Sequence, residues 1–275
     1  MEPGAPNRLQ LTVQYDGSGF HGWQVQPDLR TVQGELEAAL SRLADQPRTV
    51  VGSGRTDTGV HALGQVASVD MPAKWDPPLL LRALNAILPR DIWVQEIHRA
   101  RGDFHPRYDA LKRTYEYRVG TDPRARSPFH RPWCWALCEA LDPDALDGAS
   151  RILLGTHSFL AFAKAGQPER GDVCTIHEAR WDGWELGPRF TITADRYLHH
   201  MVRYLVGTMV DVARGRRPLA DLPALLSGEE GLETSPPAPP EGLFLARVEY
   251  PEHVRNLNDD ESGIEPPEGR RTASA

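Results

Sequence analysis

The stretch from Val51 to Ala67 reads Val-Gly-Ser-Gly-Arg-Thr-Asp-Thr-Gly-Val-His-Ala-Leu-Gly-Gln-Val-Ala, and the rest of the chain is arranged around it. A β-branched run leads into this stretch, and a second strand-like run leaves it. Between them, glycines surround one arginine, one aspartate and one histidine. Because glycine has no side chain and tolerates positive φ, another molecule can approach the carboxylate of Asp57 closely. Taken alone, the pattern favours a tight turn with a surface ion pair, since isolated glycine-rich loops are weak motifs.

The elements on either side of this stretch occur twice in the same order, β-α-β-β-α-β. In the first half, the patterns predict strands at 9–15, 49–53, 65–71 and 92–97, with helices at 31–43 and from Asp76 onward. In the second half, they predict strands at 113–119, 174–184, 189–194 and 243–250, with helices from Asp142 and over 198–213 and 219–226. This order is the split-βαβ pattern. We therefore expect an α+β fold in which two split-βαβ subdomains, ferredoxin- or RRM-like, form an antiparallel or mixed sheet with a central cleft.

The same patterns predict the domain boundaries. Residues 1–103 form an N-terminal subdomain that contains the glycine-rich loop, and residues 104–250 form a C-terminal subdomain. We interpret 156–173 as a long insertion, a kind of loop that is often functional. Residues 251–275 are rich in proline, glycine and charge and poor in apolar side chains, so we expect a disordered tail.

Composition restricts the function classes. The 275 residues have 40% hydrophobic and 25% charged content, and they lack both a membrane-length apolar run and a hydrophobic signal-peptide core, so we expect a cytoplasmic protein with no membrane contact. The net charge of −7 is unfavourable for a nucleic-acid binder, but the charge is uneven. The segment from Arg99 to Arg131 contains nine Lys and Arg and four acidic residues. The segment from Arg196 to Arg217 contains five arginines and one acidic residue. Such local fields decide where a polyanion docks, although the arginines could also be merely solvated.

The sequence predicts no metal site and no cofactor. The three cysteines contain no C-x-x-C pair, so buried free thiols are the better interpretation. His61, His199 and His200 stand in no H-x-x-x-H or H-E-x-x-H frame with cysteine or acidic partners at ligand spacing. We expect these histidines to be structural or to contact RNA.

Several strings resemble one known family. Gly54-Arg55-Thr56-Asp57-Thr58-Gly59-Val60-His61-Ala62 is similar to the signature of the TruA-type tRNA pseudouridine synthases. Lys112–Tyr117 resembles the tyrosine motif of that family, and His199–Arg203 resembles its second motif. Further segments similar to blocks of this family occur, in the same order, at 15–24, 31–34, 155–159 and 238–243, so that the resemblance spans about residues 8–250. Two departures are Thr58 and Tyr204, where the family commonly has alanine and asparagine.

The resemblance implies a function and a set of roles. The chain would be an isomerase that converts uridine to pseudouridine in the anticodon stem-loop of tRNA, at uridines 38, 39 and 40. Asp57 would be the catalytic nucleophile, attacking either the ribose or the base. Arg203 and Arg55 would be its electrostatic partners, Arg55 also entering the space left by the flipped nucleotide. Tyr115 would lie against the target base. The family also implies a pseudouridine-synthase-type sheet, a homodimer and no cofactor, since the reaction involves no redox change.

Two other functions fit parts of the pattern. A non-catalytic RNA chaperone of the same fold would keep the basic and aromatic features, but it has no use for a lone carboxylate in a glycine loop. A hydrolase using Asp57 would want a second carboxylate as general acid or base, and none is evident beside the motif. Tyr117 lies two residues beyond Tyr115 on the same face of the predicted strand, and for it a buried core role is the better interpretation.

Overall fold

The computed structural model describes residues 7–164 and 171–254, in which a nine-stranded mixed sheet carries five α-helices. The strands are β1 (Asn7–Tyr15), β2 (Val51–Gly52), β3 (His61–Met71), β4 (Ile92–Arg99), β5 (Lys112–Arg118), β6 (Gly155–Ser158), β7 (Val173–Trp184), β8 (Gly187–Ala194) and β9 (Leu243–Glu249). The helices are α1 (Val32–Ala44), α2 (Pro77–Ile87), α3 (Pro143–Ile152), α4 (Met201–Ala213) and α5 (Asp221–Ser227). None of the helices in the described part of the chain is long and apolar enough to cross a membrane.

The sheet consists of two halves with the same strand order. The first half runs β4-β1-β3-β2 and the second runs β9-β5-β8-β7, with β6 added at the outer edge. All pairs within each half are antiparallel, whereas β3 and β9 pair in parallel at the centre through His61 with Phe244 and Ala62 with Leu245. The α+β class and the repeated β-α-β-β-α-β order are therefore confirmed. The short parallel pair joins the halves beside the loop that precedes His61.

Three helices begin where their capping residues predict. The side chains of Thr31, Asp76 and Asp142 accept hydrogen bonds from backbone N–H groups of the first turn, and Pro77 and Pro143 occupy the first helical positions. These caps satisfy N–H groups that have no partner inside the helix, and proline costs nothing there because its missing N–H is not needed.

The core runs through both halves as one cluster of buried side chains. Alternate residues of β1 and β5 join side chains of α1, α2 and α4 in it; examples are Leu9, Leu11, Leu36, Leu84, Tyr117 and Leu205, each fully buried. Because the core is continuous, the two halves hold each other in position. Loops from opposite halves can therefore form one site at the junction.

Some element boundaries differ from the sequence patterns. The interpretation of 156–173 as an insertion is wrong for its first residues, because β6 pairs with β7, and residues 165–170 lie outside the described part of the chain. β3 begins at His61 rather than at Gln65, since its first residues find a partner in β9. α4 begins at Met201 rather than at 198, because His200 has a left-handed backbone conformation with φ of 65°. Of the predicted tail, 252–254 form a helical turn that buries Val254, and 255–275 lie outside the described residues.

Candidate active site

Asp57 lies in a tight turn between β2 and β3. The N–H of Val60 donates to the carbonyl of Asp57 at 3.1 Å, which closes the turn, and Gly59 adopts a φ of 78° that a side chain would strain. The base of the loop is anchored through Ser53, whose hydroxyl donates to Gln65 and whose carbonyl accepts from Arg113 at 2.7 Å. The carboxylate of Asp57 is thus presented from a backbone fixed on both sides.

A second loop supports this turn from behind. The N–H of Trp23 donates to the carbonyl of Thr56 at 3.1 Å, and the hydroxyls of Thr56 and Tyr15 lie 2.7 Å apart. Gly22 has a φ of 86°, and a Cβ placed on it would lie 2.7 Å from the carbonyl oxygen of Thr56. The absence of a side chain at Gly22 is therefore a requirement for the position of the Asp57 turn.

Replacing Gly22 with alanine tests this support. We expect Gly22→Ala to lower the free energy of unfolding by about 1–3 kcal/mol, because the strained φ and the backbone clash act together, and to lower turnover by displacing Asp57. The control is Gly102→Ala, where a Cβ meets nothing within 4 Å. That variant should stay within about 0.5 kcal/mol of the wild type. Urea denaturation and initial rates measure both effects, and equal stability and turnover in the two variants would contradict the prediction.

The carboxylate of Asp57 faces three basic side chains from the other half of the protein. His199 Nε2 lies 3.4 Å from Oδ1, His200 Nε2 lies 3.3 Å from Oδ2, and Arg203 Nη1 lies 3.6 Å from Oδ2. The side chain of Asp57 is 21% exposed and that of Arg203 is 14% exposed, so the pair is screened from bulk water but can still be reached. The structure therefore brings Asp57 and Arg203 together, as the two motifs predict.

Arg203 is held in place by a third segment. Its Nε donates to the carbonyl of Ala238 at 2.7 Å, and the N–H of Ala238 donates back to the carbonyl of Arg203 at 2.9 Å. Gly207, one turn further along α4, allows this approach, because a Cβ there would lie 2.1 Å from the carbonyl oxygen of Pro236. Since its Nε is tied to backbone, the guanidinium is held with Nη1 3.6 Å from Oδ2 of Asp57.

The two histidines reach Asp57 because of the backbone before α4. His200 caps this helix with a left-handed conformation, and its ring lies 4.1 Å from that of His199. Partial burial lowers the pKa of His200, with Arg203, His199 and Lys164 adding to this effect and Asp57 opposing it. The lowered pKa favours the neutral imidazole, which has a lone pair on one ring nitrogen.

Tyr115 lies on β5 next to the site, with 8% of its surface exposed. Burial raises the pKa of its phenol to about 12; the positive charge of Arg113 opposes this shift and the negative charge of Asp57 adds to it. Tyr197 packs edge-on against the ring at 4.9 Å between centroids, which fixes the orientation of Tyr115. By contrast, Tyr117 is fully buried and its hydroxyl donates to the carbonyl of Pro239, which confirms its structural role.

The structure does not place Arg55 on Asp57. The side chain of Arg55 is exposed, and the described residues show no ion pair within 4.0 Å between these two groups. An exposed guanidinium beside the Asp57 turn is free to meet a bound molecule. The exposed position of Arg55 fits the predicted role of entering the space left by the flipped nucleotide better than the predicted role of pairing with the carboxylate of Asp57.

Sequence patterns missed the convergence of both histidines on Asp57. Metal and catalytic frames are recognised at short spacing, whereas these partners are separated by more than one hundred residues. The available signal was the string His199-His200-Met201-Val202-Arg203, which places two imidazoles within one turn of the predicted arginine partner. Among the described residues, Asp57, His199 and His200 are the group of side chains that could hold a metal ion.

Comparison with known proteins shows similarity along most of the chain. A family model described as tRNA pseudouridine synthase matches residues 11–109 and 149–251, which include Asp57 and Arg203 but not Tyr115. A tRNA pseudouridine synthase A from Methylacidiphilum infernorum is 40% identical over 243 residues, covering 88% of this chain and 95% of the relative. Proteins of the same name from Moorella thermoacetica and Bordetella petrii are 41% and 40% identical, covering 88% and 93% of this chain and 99% and 96% of the relatives.

Proposed function

The chain belongs to the tRNA pseudouridine synthase family of isomerases, and from this premise we propose that it converts uridines 38, 39 and 40 of the tRNA anticodon stem-loop to pseudouridine. The observation that carries the proposal is the site itself. A carboxylate in a glycine turn of one half, Asp57, meets the guanidinium of Arg203 from the other half, and the charge of Asp57 is close enough to raise the pKa of the Tyr115 phenol.

The reaction determines what these groups must do. The bond from ribose C1′ to uracil N1 breaks, the base turns, a bond from C1′ to C5 forms, a proton leaves C5 and N1 gains one. Atoms and electrons balance within one nucleotide, so the chemistry requires no redox partner. A carboxylate can act first as nucleophile and then as leaving group. We assign these roles to Asp57, and the guanidinium of Arg203, 3.6 Å away, provides a positive charge beside the carboxylate.

The target nucleotide must leave the helical stack to reach Asp57. A base that leaves a stack loses contacts worth about 1–3 kcal/mol, and an aromatic face replaces them. Tyr115 supplies that face, because its ring is clamped by Tyr197 and its hydroxyl makes no hydrogen bond to any described residue. Arg55, exposed beside the turn, fills the place of the extruded nucleotide, where a planar guanidinium can stack and pair with phosphate.

Tritium release tests the function. Purified protein is incubated with a tRNA transcript labelled at C5 of uridine, and loss of tritium to water follows each turnover. A matched transcript with cytidine at positions 38, 39 and 40 is the control. We expect release from the first transcript and none from the second, with pseudouridine mapped at the three positions by carbodiimide modification and primer extension. Equal release from both transcripts would refute the positions, and no release from either would refute the activity.

The alternatives make different predictions in the same assay. An RNA chaperone releases no tritium. A two-carboxylate hydrolase would produce free base or cleaved RNA, but the side chains that the structure places around the Asp57 carboxylate are two histidines and an arginine rather than a second carboxylate. The surroundings of Asp57 thus favour stabilising an anionic nucleophile over a two-carboxylate mechanism.

We also propose a cytoplasmic homodimer whose RNA-binding cleft involves both subunits, as the family resemblance implies. The uneven charge supports a local RNA surface, since five arginines stand against one acidic residue in the segment from Arg196 to Arg217, which contains Arg203. Analytical ultracentrifugation measures the oligomeric state. A monomer at the concentration used for turnover would contradict the dimer without affecting the assigned chemistry.

Tyr115 gives a prediction with two separable parts. We expect Tyr115→Phe to lower turnover by about 100-fold or more, because the hydroxyl makes no hydrogen bond to another described residue and is the group that would act on the base, while tRNA affinity changes little. Tyr115→Leu should in addition weaken tRNA binding by about 1–3 kcal/mol through loss of stacking. Single-turnover rates and filter-binding affinities separate the effects. Equal turnover in the wild type and Tyr115→Phe would show that only the ring matters.

A further inference from the structure

Two imidazoles and one carboxylate converge on a single point at the start of α4. Asp57, His199 and His200 each offer a ligand atom, and these atoms lie within 4.8 Å of one another. The two nitrogen–oxygen distances, 3.4 Å for His199 and 3.3 Å for His200, are longer than the roughly 2.9 Å of a good N–H···O hydrogen bond. The contacts are therefore poor hydrogen bonds, and the two ring nitrogens and the carboxylate lie around a common space.

These distances match the spacing of ligands around a metal ion. In a tetrahedral zinc site, bonds of about 2.0–2.1 Å to histidine nitrogen and about 2.0–2.2 Å to carboxylate oxygen place neighbouring ligand atoms about 3.3 Å apart. The two nitrogen–oxygen distances are close to this value, although His199 faces Oδ1 of Asp57 and His200 faces Oδ2. Rotation of His199, whose side chain is 58% exposed, would bring both rings to one oxygen.

We propose that Asp57, His199 and His200 form a binding site for a divalent transition-metal ion such as Zn²⁺, and that the bound ion reversibly inhibits the enzyme. The inhibitory part rests on the proposed function, because a bound cation withdraws electron density from the Asp57 carboxylate, and the ion with its water fills the space through which the nucleotide would reach that carboxylate. Imidazole suits zinc, cobalt, nickel and copper, whereas magnesium prefers an octahedral shell of oxygens. Magnesium, which accompanies tRNA, therefore does not occupy the site.

The surroundings explain why such a site would be regulatory or inhibitory rather than permanently occupied. The guanidinium of Arg203 lies 3.6 Å from the same carboxylate, and Lys164 is near enough to act on His200. Both positive charges oppose a cation and weaken its binding. Three protein ligands leave at least one position for water, so the ion can exchange.

Cobalt(II) is the probe for the site, because its visible absorption reports a tetrahedral environment without any need for activity. We expect titration of the full-length protein to give a tetrahedral visible band that saturates at one equivalent and is displaced by Zn²⁺ but not by excess Mg²⁺. The variants Asp57→Asn, His199→Ala and His200→Asn should each weaken Co²⁺ binding by about tenfold or more. Asparagine at 200 tolerates the left-handed backbone and keeps α4 intact.

A matched control separates this site from any exposed histidine. His98 Nε2 lies 3.1 Å from Glu96 on the surface of β4, but no third ligand is assigned there among the described residues, so His98→Ala should bind Co²⁺ like the wild type. Absence of the tetrahedral band, an unchanged affinity in both histidine variants, or a thiolate charge-transfer band from a cysteine would overturn the proposal.

The activity measurement is kept separate from the binding measurement. In the tritium-release assay with Mg²⁺ in excess, Zn²⁺ should inhibit at the concentrations at which it displaces Co²⁺, and a chelator should restore the rate. Cobalt binding in a protein that releases no tritium would refute the proposed function and leave the metal site standing. Full turnover with Zn²⁺ bound at this site would overturn the inhibitory role.

Discussion

Replacing Asp57 with asparagine is expected to abolish turnover while leaving tRNA binding largely intact. Asparagine preserves the size of the side chain and the turn closed by Val60, but its amide is not a nucleophile. Loss of a nucleophile of this kind costs about 10⁴-fold or more in turnover. Because phosphate contacts and base stacking generally supply most of the affinity for a nucleic acid, tRNA affinity should change by no more than a few fold.

The measurement combines tritium release under single-turnover conditions with filter binding of the same tRNA. Asp147→Asn is the matched control, since Asp147 is a half-exposed carboxylate on α3 whose visible role is an ion pair with Arg151. That variant should keep wild-type turnover. Retained turnover in Asp57→Asn would remove Asp57 from the chemistry, and loss of both turnover and tRNA binding would indicate that the site had been disrupted rather than its nucleophile removed.

Replacing Arg203 is expected to have the second-largest effect. Arg203→Ala removes the charge that faces Asp57 and should lower turnover by about 100- to 1,000-fold, the usual cost of losing one preorganised donor. It also removes the charged donor to the carbonyl of Ala238, so we expect a loss of about 1–3 kcal/mol in the free energy of unfolding. Arg203→Lys keeps the charge without the planar fork, so its turnover should lie between those of the alanine variant and the wild type.

Two comparisons isolate the role of Arg203. Arg214 caps the C-terminal end of the same helix, is 11% exposed and pairs with Glu139 and Asp211, so Arg214→Ala should lose stability without a comparable loss of turnover. Arg55→Ala should raise KM for tRNA more than it lowers kcat, because Arg55 does not contact Asp57. Thermal denaturation and steady-state kinetics measure both quantities. A fall in kcat for Arg55→Ala as large as for Arg203→Ala would contradict this division of roles.

Local patterns predicted most of the secondary structure because their causes are local. Strict alternation defines β1, and Thr31, Asp76 and Asp142 define helix starts through hydrogen bonds within their own first turns. The predicted boundaries were wrong where pairing with a distant strand or a local backbone conformation sets the end of the element. The early start of β3 depends on β9, and β6 depends on pairing with β7. The late start of α4 depends on the left-handed conformation of His200.

The sequence by itself determined which chemical groups are available: a carboxylate in a glycine loop, an arginine after two histidines, and a tyrosine in an alternating strand. Motif spacing was sufficient for this because each group is defined by its immediate neighbours. Only the tertiary structure decided which groups meet. Asp57 and Arg203 come from opposite halves that a shared core and the β3–β9 pair hold together, whereas Arg55, only two residues from Asp57, is exposed and makes no ion pair with it among the described residues. Proximity along the chain does not determine direction in space, because a tight turn sends neighbouring side chains to different sides.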